Sequence, residues 1–325
     1  MADEPKFSYG GQAVIEGVMI RGRKHFSLAV RRQDGSIEHH SELLSTLYTG
    51  RIRQYPLIRG VIALVETMVL GIKALHLSAN MAVQDQSGDE GGEIPSWVLG
   101  ATLAVALTLG IGVFFLLPLL IIWLLDSRGW VSELIEGGLR LGLLVAYIWG
   151  ISFLRDIKRV YAYHGAEHMA VHAYEAGMPL DVENVRKFPT PHPRCGTAFL
   201  LTVMLVSIIV FALLMDPPIE WRILSRIVLL PVIAAISYEI IRFSGKHQNS
   251  LSGQILAWPG LLLQRLTTRP PDDAQIEVAI TAMEGALAAD DGREYLVSFK
   301  PRLEESSDFP SPPVGLSPES HGGEE

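Results

Sequence analysis

From Trp97 to Leu125 the chain reads WVLGATLAVALTLGIGVFFLLPLLIIWLL, with no charged residue in the run. A bilayer core needs about 20 consecutive apolar residues, so this stretch spans one with length to spare. Tilt, or a kink near Pro118, absorbs the surplus. Three further apolar blocks follow, at 139–154, 198–215 and 223–241. Arg140 interrupts the second near one end, where it can snorkel to the headgroups. The last carries Arg226 and Glu239 near opposite ends, with Pro231 between them. The expected fold is mainly α: a multi-pass membrane helical bundle of about four spans. A mean hydropathy of +0.27 and 49% hydrophobic content agree with that class.

The formal net charge of -8 comes largely from acid at 85–93 and in the tail from Glu304. No nucleic-acid partner is expected from such a balance, and the expected partner is the lipid bilayer. The single cysteine, Cys195, excludes an internal disulfide. The first twenty residues lack a basic segment followed by an apolar one, so no cleavable secretion signal is expected. Lys and Arg resist translocation, and the loop at 155–197 holds Arg155, Lys158, Arg159, Arg186, Lys187 and Arg194. The connections on the opposite side offer Arg128 and Arg222, apart from the span-end arginines. Both termini and this loop are therefore expected in the cytoplasm.

Residues 1–56 form an N-terminal segment with strand signals at 13–20, 25–32 and from Ile37, and Asp34-Gly35 marks a turn. Residues 57–83 read as an apolar helix whose charges Arg59, Glu66 and Lys73 form one stripe, followed by an acidic linker to 96. An interfacial position is preferred over a fifth span, which would bury Glu66 and Lys73. The membrane domain covers 97–243. A C-terminal cytoplasmic segment, 244–303, contains a helix at about 273–289 that begins with a capping residue after Pro270-Pro271. The tail at 304–325, rich in Ser, Pro, Gly and acid, is expected to be disordered.

The chemistry concentrates between the second and third spans. Helical continuation past Leu154 would carry RDIKRVYAYHGAEHMAVHAYEAG into the cytoplasm, with Gly177 and Pro179 as stop signals. At about 100° per residue, Glu175, His168 and His172 fall near 20°, 40° and 80° from His164, and Glu167 near -60°. His164-Gly165-Ala166-Glu167-His168 is H-x-x-E-H, in which two imidazoles one turn apart chelate a metal beside a glutamate that acts as general base. A third ligand must come from elsewhere. Glu239 is one candidate, since its span ends on the same side; pairing with Arg242 or snorkelling would also account for it. His192 and Cys195 offer another pair of ligands, although Cys195 alone is also an ordinary packing residue. The alternative is that the three histidines form only the polar face of a juxtamembrane helix. In the glycine-rich GGQAVIEGVMIRG, Gln12 and Glu16 are further candidates, but the run has neither Walker nor G-x-G-x-x-G spacing.

GGQAVIEGVMIRG, YHGAEH, HPRCGT, ISYEIIR and WPGLLLQRLTTRPPDDAQIEVAI, in this order over about 7–289, resemble the bacterial YqhQ-like membrane proteins of the domain-of-unknown-function 1385 family. The resemblance implies a protein of the bacterial inner (cytoplasmic) membrane with a metal site of the kind a metal-dependent enzyme uses. That site maps onto His164, Glu167, His168, His192 and Cys195. The leading expectation is a hydrolase dependent on zinc or another divalent transition metal, with Glu167 as catalytic base and His164 and His168 as ligands completed by Glu239 or Cys195. The rivals are a non-enzymatic scaffold with a closed structural metal site and a transporter, which the uncharged centres of the first and third spans disfavour.

Overall fold

The computed structural model describes residues 7–87, 93–126, 129–214, 218–248, 250–295 and 297. The tail expected to be disordered lies outside them, as does the middle of the acidic linker. The chain is mostly helical, 69%, with one small N-terminal sheet.

That sheet is a four-stranded antiparallel meander of β1 (Gly10–Val14), β2 (Gly17–Arg21), β3 (His25–Arg31) and β4 (Ile37–Leu43). The expected single strand at 13–20 is two strands. The chain reverses at Ile15-Glu16, where Glu16 adopts a left-handed φ of 53°. Both faces are covered, which accounts for the nearly continuous apolar runs of β2 and β3. Val18, Ile20 and Ala29 face helices α4 (Arg155–Glu175) and α9 (Asp273–Asp290). The alternate residues Met19, Phe26, Leu28 and Val30 pack on Leu70, Ala74 and Met81 of α1 (Ile58–Ser87). Helix α9 starts, as its sequence indicates, with a capping box between Asp272 and Gln275.

Among the described residues, three helices are long and apolar enough to cross a membrane, α1, α2 (Ser96–Leu124) and α3 (Gly129–Ile151), and a bent pair further on makes a fourth if it is one span. Helix α2 contains a π-helical turn at Gly112–Leu116, immediately before Pro118, whose missing N–H and bulky ring force such an adjustment. After α4 come α5 (Gly196–Ala212), α6 (Ile219–Val228), α7 (Leu230–Lys246) and α8 (Leu251–Thr267). Helices α6 and α7 form a pair bent by 44° around Leu229, so the block at 223–241 is broken rather than straight. Pro231, which cannot supply the N–H that a continuous helix requires, sits just past the break.

Three expectations are corrected. The second span does not run on into α4: Ser152 turns its hydroxyl back to the Trp149 carbonyl (2.7 Å), and Leu154 is extended, so the helix is broken before α4 starts. Residues 251–267, for which no helix was expected, form α8, packed on α5 and α7. Arg140 does not snorkel. It joins Glu136, and Arg222 and Arg226 of α6 reach Glu133 (2.5 Å) and Glu136 (2.6 Å), so these charges are buried against one another.

Asp290, the last residue of α9, closes the sheet by accepting backbone N–H groups of Arg23, Lys24 (2.9 Å) and His25 (3.2 Å), and the Tyr9 hydroxyl (3.1 Å). Asp290→Ala strands these donors and should cost about 1–3 kcal/mol. Thermal unfolding of the full chain in detergent, compared with wild type, measures the loss.

Candidate metal centre

Helix α4 has a polar mean composition yet is buried through its middle, from Ala162 to Val171 with His164 half-buried. Its imidazoles must therefore find partners within the protein. His164 Nδ1 lies 2.8 Å from the Thr267 carbonyl at the end of α8, and His168 Nδ1 lies 2.5 Å from the Thr190 carbonyl. Carbonyls only accept, so each Nδ1 carries the proton and each Nε2 is left with a free lone pair. This is the arrangement that orients metal-binding histidines.

The two free nitrogens face Cys195, the N-cap of α5, whose Sγ is 3.2 Å from His164 Nε2. One donor atom from each of His164, His168 and Cys195 lies within 4.8 Å of the others. Two imidazole nitrogens and a sulfur suit zinc and related transition metals. Glu167 adjoins this group, its Oε2 3.4 Å from His168 Nε2. The backbone N–H of Gly11 in β1 favours its charged form. No side chain fits at position 11, where an added Cβ would stand 1.9 Å from the Met19 carbonyl. Gly165 is needed for a similar reason: a Cβ there would meet the Arg269 carbonyl at 2.3 Å, displacing the segment that presents Thr267 to His164.

Burial sets the protonation. It pushes the Glu167 carboxyl above the usual carboxylate range, against the pull of His164 and His192. It lowers His168 and His192, and pushes His172 down to about 4. These imidazoles are neutral at pH 7, the form a metal requires.

The remaining candidates go elsewhere. His192 borders the centre, with its ring 5.7 Å from that of His168, but its Nδ1 accepts the Arg194 N–H (3.3 Å), which puts its proton on Nε2. His172 donates to the Pro191 carbonyl (2.9 Å), and Glu175 pairs with Arg194. Glu239 is not in the donor group. It is clamped by both ends of the Arg59 guanidinium where α7 meets α1, a full ion pair that satisfies both its oxygens. Glu16 pairs with Arg159 and receives the Tyr163 hydroxyl (3.3 Å), fastening the β1–β2 turn to α4. Gln12 lies on the opposite sheet face from Gly11, against Gly71 of α1, as strand alternation requires.

Residues 55–289 match the family described as Protein of unknown function (DUF1385). The chain belongs to that family. It is 36% identical over 299 residues to "Uncharacterized protein YqhQ" of Bacillus subtilis (strain 168), an alignment covering 86% of this chain and 92% of the relative. No solved structure matches.

In this family member the residue that sequence reasoning missed is Gln264 of α8. Fully buried, it accepts the His192 N–H (2.7 Å) and donates to the His192 carbonyl (2.9 Å), fixing the loop that carries Thr190 and Cys195. Its signal was a lone amide in the apolar run WPGLLLQ. Gln264→Leu should destabilise the protein by roughly 2 kcal/mol, the cost of two buried backbone groups losing their partner; denaturant unfolding measures it. Acid should also destabilise the fold. A histidine held below its unfolded pKa contributes stability that is complete above that pKa, near 6.5, and is lost as pH falls toward the folded value. For His172 that window runs from about 6.5 to about 4, and His172→Gln should flatten the pH dependence of unfolding across it.

Proposed function

We propose that the protein is a membrane-anchored, metal-dependent hydrolase, with His164, His168 and Cys195 as ligands of zinc or another divalent transition metal and Glu167 as general base. The observation that carries this reading is the convergence of three donor atoms within 4.8 Å beside a buried carboxyl. Three protein ligands with one position left over is the pattern of catalytic zinc sites, whereas structural sites use four. A bound metal would supply Lewis acidity. Glu167, with its proton affinity raised by burial, takes up and returns a proton at Oε2. The N–H of Gly11 favours the charged form of that group.

The setting we propose is the cytoplasmic membrane of a bacterium, with both termini and the centre on the cytoplasmic side. The basic residues between α3 and α5 support that orientation. One observation favours a second reading, a scaffold with a closed structural site: Glu167, His168, His192 and Cys195 are all buried.

Metal analysis of the purified chain tests the proposal. One equivalent is expected in wild type and in Glu167→Gln, with loss in His168→Ala and Cys195→Ser. Cobalt substitution should give a thiolate-to-metal absorption band that Cys195→Ser abolishes. Absence of stoichiometric metal in folded protein would overturn the proposal, and four protein ligands without exchangeable water would establish the scaffold reading instead.

A further inference from the structure

Helix α8 is 17 residues long and includes Gln254, Gln264 and Arg265, yet it exposes a row of large apolar side chains. Leu251, Ile255, Trp258 and Leu262 are 74%, 61%, 64% and 46% exposed. They recur at i, i+4, i+7 and i+11, so they share one face. The opposite face, with Gly253, Gly260, Leu263 and Gln264, is buried against α5 and α7.

Both ends of α8 are tied to the same side of the helical bundle. At its start, the Gly253 carbonyl accepts the Ser244 hydroxyl (2.8 Å) at the end of α7. Further along, Gly260 lies against Ala198 in the first turn of α5; a Cβ at 260 would approach the Ala198 Cβ to 2.5 Å. The end of α7 and the start of α5 are neighbours, since a Cβ on Gly245 would stand 2.9 Å from Arg194 Cγ, one residue before the α5 N-cap. A helix connecting two points on one side cannot also cross to the other.

We propose that α8 lies in the plane of the bilayer surface, with the Leu251–Ile255–Trp258–Leu262 row in the acyl and headgroup boundary. The occupant we assign to this face is lipid, since α8 packs directly on α5 and α7, which themselves expose large apolar side chains such as Leu200, Ile209, Leu230 and Phe243. Exposed Lys246 and Arg265, at the two ends, are placed to meet lipid phosphates. A tryptophan in the row matches the preference of indole for that boundary. The inner face of the same helix holds the candidate centre, through Thr267 to His164 and through Gln264 to His192. The His/Cys cluster therefore sits at the membrane surface, on a helix whose other side is in lipid. This inference does not depend on metal binding.

Nitroxide side chains introduced one at a time at 251, 255, 258 and 262, and at exposed Gln248 just before the helix, test it on the full chain in vesicles of mixed zwitterionic and anionic phospholipid. The wild-type chain serves as the blank, because Cys195 is buried. The four row positions are expected to be reached by oxygen but shielded from an aqueous nickel chelate, all at one shallow depth, with Gln248 open to nickel. Nickel access along the row would overturn the proposal. So would shielding from both probes, which means a protein cover, or a depth that rises steadily from 251 to 262, which means a crossing helix.

Discussion

The structure depends on burying the polar helix α4. A helix with histidines and a glutamate along its length is costly to remove from water unless each group finds a partner. Here the partners are mostly backbone: the carbonyls of Thr190, Pro191 and Thr267, with the N–H of Gly11 favouring the charged form of Glu167. They come from three segments, so β1, the loop before α5 and the end of α8 must all dock on α4 together. Gly11 and Gly165 are the positions where that docking leaves no space for a side chain.

The same docking joins two parts of unlike physical character. On one side α4 and α9 cover the sheet and form an aqueous-type core of small and branched residues. On the other, α5 and α8 belong to a bundle whose outward surfaces are apolar. Charges near this junction are paired across elements. Glu66 of α1, for example, is buried between Arg21 of β2 and Arg53. Such pairs stabilise only while both members are present, so they fix register as much as they add energy. Within the bundle, Glu133 and Glu136 with Arg140, Arg222 and Arg226 do the same for α3 and α6.

Local spacing made α4 and its H-x-x-E-H pair legible, because residues three and four apart share a helix face wherever the helix goes. The same holds for the capping box of α9 and the turn at Asp34-Gly35. Glu239 illustrates the limit. Its expected placement rested on which side of the membrane its span would end, and sidedness does not fix a contact: Arg59, remote in sequence, competes for the carboxylate and holds it. Gln12 and Glu16 were singled out for their glycine-rich setting, but strand alternation and the reversal at Ile15-Glu16 turn them away from the histidines. The carbonyls that orient His164 and His168 were invisible, since a backbone acceptor carries no residue-specific signature, and Gln264 showed only as a lone amide in an apolar run.

The sequence by itself determined the apolar helices, through block length, and the one-turn spacing of His164, Glu167 and His168. Both are local properties of the chain. Only the tertiary structure decided that Cys195 rather than Glu239 meets those imidazoles, that α4 is a helix separate from the second span, and that α8 exists and braces the cluster. Those outcomes follow from competition among segments for a limited set of buried partners, and such competition is settled in three dimensions.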